Sequence, residues 1–516
     1  MDRPRAFGRA RIVVPVTLLA ALLLAAGAGS GLATPAVGQR TKAVPVATDQ
    51  TAYAEPFLAV SPVRPQLLVG GANSHQGGTP SVVSFRSNDG GGTWTERSMA
   101  VPGFAFAYDP SVAFFSPLGV AFADVAVQSG RAGCVSGGSV AVFTSRNGGR
   151  TWGPPTLIRD ERGTPAFADK PMLAADPTTG AVYVAWSQAT TSSTTNFCQA
   201  TPAANALLVE VSHDGGRTFG APVRISVPGF PTAFGATMTP TPGGGLAIAF
   251  EASRRSVSPA EAAIFVADSS DGGKSFDKPI RVGPAQEPLT PAGSNLYATS
   301  WPAITTNPDG SVTLAWASGT TNTRIYTVER PAGGERFSHP VAVNAPPGAD
   351  LMPSLGPGPV LGFLQFSGGV ERPVVTSGGS NGFGPLKVAG PPGPAGSPFE
   401  LGEYLGVQPV LGRVAMLWPQ MAEGHQVVLF ARTVVRAPTT TPPPTSSSPA
   451  TTGQTPPPST RSGHPRHTGS PGSRGGASRG HAPVAIAGVI AFALLAALAL
   501  ARRGGGRHRP RRRPLP

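Results

Sequence analysis

The sequence predicts an all-β fold, a β-propeller of seven blades. Three observations carry the expectation. A turn motif returns four times, a strand–turn–strand element returns seven times, and 67 glycines and 58 prolines in 516 residues supply the punctuation that many short strands need.

The turn motif is first met at Ser87-Asn88-Asp89-Gly90-Gly91-Gly92-Thr93-Trp94, read as S-x-D-G-G-x-T-W. It returns from Ser145 through Asn147 to Trp152, from Ser212 through Asp214 to Phe219, and from Ser269 through Asp271 to Phe276. Each copy follows an alternating apolar run (SVVSFRS, VAVFTS, LLVEVS, IFVADS) and precedes a second extended run, the pattern of a hairpin. Ser and Asp side chains bond nearby backbone N–H groups, the glycines accept positive φ, and the aromatic packs on a neighbour. The aromatics are 58, 67 and 57 residues apart, room for four strands per unit.

Before each turn stands a short strand, a bend and a strongly apolar strand. It reads Lys170-Pro171 then AADPTTGAVYVAW in one unit, and Trp301-Pro302 then TNPDGSVTLAW in another. Weaker versions begin at Glu55-Pro56, Asp109-Pro110, the TPTPGGGLAIAF run, Met352-Pro353 and Tyr404, making seven. Degenerate turns follow at Gly333–Phe337 and Asn381–Phe383. The last unit, ending in HQVVLFARTVV, lacks an outer strand, whereas a surplus one, KAVPVA (42–47), precedes the first. The expectation is that 42–47 completes the last blade; six blades plus an extra sheet is the alternative.

The chain divides further by composition. Residues 1–36 read as a signal peptide, with Arg3 to Arg11 before an apolar run and small residues after it. Residues 40–436 form the propeller. Residues 437–481, rich in Pro, Thr, Ser and then Gly and Arg, cannot bury a core and read as a disordered stalk. Residues 482–501 hold no charge and match a transmembrane helix; the basic tail 502–516 is then cytoplasmic and the propeller outside the cell. Of the net charge of +14, residues 1–39 carry +3 and residues 437–516 carry +11. The propeller segment is therefore neutral, and a nucleic-acid partner is not expected. Cys134 and Cys198, in corresponding loops of consecutive units, suit a disulfide in an exported protein.

The repeated S-x-D-G-G-x-T-W resembles the Asp box, or bacterial neuraminidase repeat, of sialidase-like β-propellers. In that family the box is a structural turn on the face opposite the active site. Members that cleave sialosides use a tyrosine nucleophile with a glutamate partner, an aspartate acid/base and three arginines gripping the substrate carboxylate. The resemblance casts Tyr404 with Glu403, Asp109 or Asp169, and Arg254, Arg324 and Arg372 in those roles. The family's F-R-I-P motif is missing; Arg-Ile-Pro occurs nowhere in the chain.

Two sets of residues belong on the face opposite the boxes. Glu55, Tyr108, Asp109, Asp169, Lys170, Trp301, Asp350, Glu403 and Tyr404 stand at the start of inner strands. His75, Arg131, Arg254, Arg255, Arg324 and Arg372 fall in the loops between second and third strands. Carboxylates and aromatics rimmed by cations suit a glycan or an acidic ligand, with Glu55, Lys170 and Trp301 as binding residues. The competing reading is that Asp-Pro and Glu-Pro are ordinary turn dipeptides. No zinc-ligand spacing, nucleophile elbow between strand and helix, or phosphate loop stands out, so no metal or cofactor is expected. Two functions follow from this reading: a membrane-anchored surface module that binds glycan or protein, or an exo-sialidase-like glycoside hydrolase with diverged residues.

Overall fold

The computed structural model describes residues 42–47 and 52–435, apart from 76–79, 130–134, 165, 191–204, 256–257, 293, 295, 297, 380–381, 397–400 and 423. Segments 1–36, 437–481, 482–501 and 502–516 lie outside the described residues, as do Arg131, Cys134 and Cys198. No helix among the described residues is long and apolar enough to cross a membrane.

Every described element is a strand. After β1 (Val44–Pro45), strands β2 (Tyr53–Val60), β3 (Leu68–Ser74), β4 (Ser81–Ser87) and β5 (Thr95–Ser98) form an antiparallel meander. So do β6 (Phe106–Phe114), β7 (Val120–Ser129), β8 (Val135–Ser145) and β9 (Thr156–Arg159). Next come β10 (Ala166–Asp176), β11 (Ala181–Thr190), β12 (Asn205–Ser212) and β13 (Val223–Ile225). They are followed by β14 (Thr232–Thr241), β15 (Gly245–Arg255), β16 (Ser258–Ser269) and β17 (Ile280–Ala285). One parallel pair, Asn205 with Thr232, joins these two runs into an eight-stranded sheet.

Strands β18 (Ala303–Thr306), β19 (Val312–Ser318), β20 (Arg324–Arg330) and β21 (Val341–Ala342) make a further sheet. In the next, β22 (Ala349–Gly356), β23 (Val360–Ser367) and β24 (Val370–Gly379) are followed by three short pieces on β24. Those pieces are β25 (Gly382–Phe383), β26 (Lys387–Val388) and β27 (Gly393–Pro394). The last sheet has β28 (Gly406–Val410), β29 (Arg413–Ala422) and β30 (His425–Thr433), with β1 as its fourth strand. Val44 pairs with Phe430 and Pro45 with Leu429, and the Val46 N–H donates to the Val428 carbonyl at 2.9 Å. Val46 and Ala47 are buried against Val428 and Phe430, so a segment from before the first sheet covers the edge of the last.

The second strands are apolar almost throughout because sheets cover both of their faces. Trp186, Trp316 and Trp418, in β11, β19 and β29, are the largest fully buried side chains. Each indole N–H keeps a partner: Gln188 Oε1, the Pro284 carbonyl and Gln420 Oε1. The first strands pack in succession, β2 on β6, β6 on β10, β10 on β14, β14 on β18, β18 on β22, β22 on β28 and β28 on β2. Between them lies a cavity of about 270 Å³, lined by Phe57, Val112, Met172, Thr237, Trp301, Pro353 and Leu405 among others.

The four S-x-[D/N]-G-G turns share one geometry. In the first, the Ser87 hydroxyl accepts the Gly91 N–H at 2.8 Å and donates to Asp89 Oδ1. Asp89 also accepts the N–H groups of Gly92 and Thr93 and the Thr93 hydroxyl. Ser145 with Asn147, Ser212 with Asp214 and Ser269 with Asp271 repeat the pattern. Burial acts to raise the Asp89 carboxyl, but these donors outweigh it and hold the pKa down at about 2. Gly91, at φ +93°, lies under Phe430; an added Cβ would come within 2.0 Å of that ring. Trp94 meets the same ring edge-on at 5.2 Å, and Trp152 bonds Ser84 of the preceding sheet.

Candidate functional site

The opposite ends of the first strands carry a second repeated backbone feature. In β2, β6, β10, β14 and β22 the register against the second strand slips, the mark of a β-bulge. At each slip one residue is left-handed: Glu55 (φ 53°), Asp109 (58°), Lys170 (52°), Gly235 (60°) and Met352 (56°). Four of the five precede a proline, which has no N–H to lose where a bulge interrupts the ladder. A non-glycine residue in this region costs of order 1 kcal/mol or more, so the surrounding contacts must hold it there.

Those contacts converge on Lys170. Its Nζ donates to Glu55 Oε1 at 2.6 Å, Asp109 Oδ1 at 2.8 Å and Glu403 Oε2 at 2.8 Å, linking four sheets through one buried ammonium. The ring centroids of Trp301 and Tyr404 lie 5.6 and 5.7 Å from the same nitrogen. Asn73 completes the group: its Nδ2 donates to Glu55 Oε2, and its Oδ1 accepts the Asp109 N–H, both at 2.8 Å. Asp169 lies beside Asp109, close enough that the two carboxylates interact.

Burial sets the electrostatics. It pushes Glu55, Asp109 and Asp169 up to about 7, against the pull of Lys170 and with the help of neighbouring carboxylates. Burial works against the Lys170 ammonium as well, but Asp109, Glu403 and Glu55 outweigh it and hold its pKa well above the usual lysine value. The Tyr404 hydroxyl donates to the Pro110 carbonyl at 3.2 Å, and burial, then Glu55 and Asp109, pushes its pKa well up. One cation among four carboxylates leaves this end of the first strands acidic.

The structure therefore joins Glu55, Asp109, Asp169, Lys170, Trp301, Glu403 and Tyr404, and it buries all of them except the half-exposed Trp301. Arg254 and Arg324 have other partners. The Arg254 guanidinium lies over the Phe230 ring at 5.2 Å and is exposed. Arg324 Nη1 bonds the Pro346 carbonyl at 2.6 Å and reaches Asp350 Oδ2 at 3.4 Å. Arg372 stands in β24 opposite Gln365, whose Nε2 bonds Asp350 at 3.0 Å.

Four residues at this end of the strands escape the sequence reading: Asn73, Asp124, Glu251 and Glu371. Asp124 and Glu371 are fully buried, and neither carboxylate has a hydrogen-bond partner. Burial lifts Glu371 to about 8 and Asp124 well above the usual carboxylate range, Asp109 adding to the latter. A signal was present for two of them: Asp124 and Glu251 interrupt apolar strands, as in GVAFADVAV and LAIAFEAS.

No family model matches the chain, and no curated protein does. Solved structures do. A protein of unknown function from Dyadobacter fermentans is 13% identical with TM-score 0.48, covering 77% of this chain and 99% of its own. Penicillium chrysogenum α-L-arabinanase, complexed with arabinobiose, is 15% identical with TM-score 0.42, covering 76% and 96%. A Hadza microbial sialidase is 12% identical with TM-score 0.42, covering 72% and 74%. At such identities and scores these neighbours say nothing of what this chain binds.

Proposed function

We propose that the chain is a seven-bladed, sialidase-like β-propeller held outside the cell by the 482–501 span, and that it binds a surface ligand, glycan or protein, without cleaving sialosides. The observation that carries the binding reading is the Lys170 ammonium bonded to Glu55, Asp109 and Glu403. A sialidase needs cations free to grip the substrate carboxylate and a tyrosine–glutamate pair free to react. Here Glu403 is committed to the Lys170 ammonium, and the Tyr404 hydroxyl donates its proton to a backbone carbonyl. An anionic sugar entering this end would meet a surplus of carboxylate.

The blade count rests on taking the eight-stranded sheet as two blades, which gives seven first strands in successive contact. Pairing of β1 with β30 is the feature that would lock such a ring. Removing residues 42–47 exposes the β30 edge and the Val428–Phe430 face; a large drop in melting temperature is expected, and unchanged melting would count against the ring.

The hydrolase alternative draws on one observation. Asp109 and Asp169 titrate near 7, where a carboxyl can still supply a proton at neutral pH. Fluorogenic glycosides, sialosides included, offered to the full-length chain decide between the readings. No turnover is expected. Turnover that disappears in Asp169→Asn and Tyr404→Phe would replace binding with catalysis.

A further inference from the structure

Sheet order places Phe234 and Glu251 beside Trp301, at the edge of the Lys170 cluster. Gly235 is the one bulge residue without a side chain, and the Trp301 indole fills the space: a Cβ on Gly235 would meet the Trp301 ring at 2.0 Å. The indole is parallel to the Phe234 ring, 5° between planes, with centroids 6.4 Å apart. Both rings are only half-buried. Glu251 stands directly across from Phe234 in β15, so the two side chains share one face of the sheet. The Glu251 carboxylate accepts the backbone N–H of Ser300, the residue before Trp301, and it too is half-buried.

We propose that Phe234, Trp301 and Glu251 form a subsite for a neutral sugar ring. This deepens the binding reading above and rests on it. A sugar presents an apolar C–H face to a flat aromatic surface and hydroxyl hydrogens to an acceptor at its edge. Two parallel half-exposed rings with a carboxylate beside them supply both, in the usual recipe of an apolar wall and a few placed polar groups. The same geometry excludes the other small ligands. A cation has little to gain on the indole, whose negative face already has the Lys170 ammonium 5.6 Å from its centroid. That ammonium is itself tied to Glu55, Asp109 and Glu403, which leaves little positive charge to hold an anion.

Calorimetric and tryptophan-fluorescence titration of the full-length chain with lactose, cellobiose, xylobiose and 3′-sialyllactose tests this. Affinity for at least one of the neutral sugars is expected, with weaker binding of sialyllactose than of lactose. Trp301→Leu is expected to weaken the neutral ligand by about tenfold or more and Glu251→Gln by several fold, with Trp301→Phe recovering part of the loss. Circular dichroism and melting of each variant separate a lost subsite from a lost fold; Phe234→Leu serves as a second probe if Trp301→Leu unfolds. Neutral-sugar affinity unchanged in folded Trp301→Leu and Glu251→Gln overturns the subsite and leaves the binding module standing. No affinity for any neutral sugar overturns the ligand class. Turnover of a glycoside, by contrast, overturns the function proposed above.

Discussion

The two ends of the same strands use repetition in opposite ways. At one end, serine, aspartate or asparagine, and paired glycines recur four times with the same hydrogen bonds. At the other, the backbone recurs but the side chains do not: Glu55, Asp109, Lys170, Gly235 and Met352 occupy one left-handed position in five first strands. Where the residue repeats with the backbone, it answers a local demand of the turn. Where the backbone repeats and the residue changes, the side chain is chosen by what lies across the ring of first strands. The fold thus holds exposed, self-sufficient turns at one end of its sheets and a buried, mutually dependent cluster at the other.

The contrast breaks most sharply at Lys170. Lys170→Met leaves Glu55, Asp109 and Glu403 buried around an apolar side chain. Loss of about 3–5 kcal/mol is expected in denaturant unfolding, as for other buried ion pairs cut on one side. Adding Glu55→Gln, Asp109→Asn and Glu403→Gln should recover most of it. A Lys170→Met protein as stable as the parent would show that the carboxylates are not held in charged form by this residue.

Glu371 offers a smaller effect with a defined pH window. Its folded pKa, about 8, lies above the ordinary value of 4.5, so the folded chain binds this proton more tightly than the unfolded one. The associated stability is present in acid and is lost as pH rises from about 4.5 through about 8. Glu371→Gln should flatten that decline, matching the parent near pH 4 and exceeding it at pH 9. Parallel stability curves for the two proteins would refute the assignment.

The smallest changes belong to the turns. Ser87→Ala removes the acceptor of the buried Gly91 N–H, and about 1–2 kcal/mol is expected in thermal or denaturant unfolding. Ser269→Ala should cost the same within error, because Gly273 stands to Ser269 as Gly91 stands to Ser87. Unequal costs would mean that the turns answer to their surroundings after all, as the bulge residues do.

Legibility in the sequence follows the same division. The S-x-D-G-G turns, the alternating runs before them and the surplus KAVPVA strand are local patterns, and their periods name the elements without help from distant residues. The pairing of β1 with β30 could be inferred because one unit lacked a strand and another segment had one to spare. The candidate residues Glu55, Asp109, Lys170 and Glu403 were visible as X-Pro and strand-start residues, but that the lysine bonds the three acids was not. Lys170 lies 61 to 233 residues from the carboxylates it binds. Of the arginines expected to grip a ligand carboxylate, Arg254 lies over Phe230 and Arg324 bonds the Pro346 carbonyl.

The amino-acid order alone therefore determined the strands, the turns and the order in which they meet, since each depends on side chains a few positions apart. Only the tertiary structure decided which charge sits among the carboxylates, that Gly235 makes room for an indole, and that Asp124 and Glu371 are buried without partners. Those outcomes depend on distances across the ring of first strands, and no spacing along the chain encodes a distance through its centre.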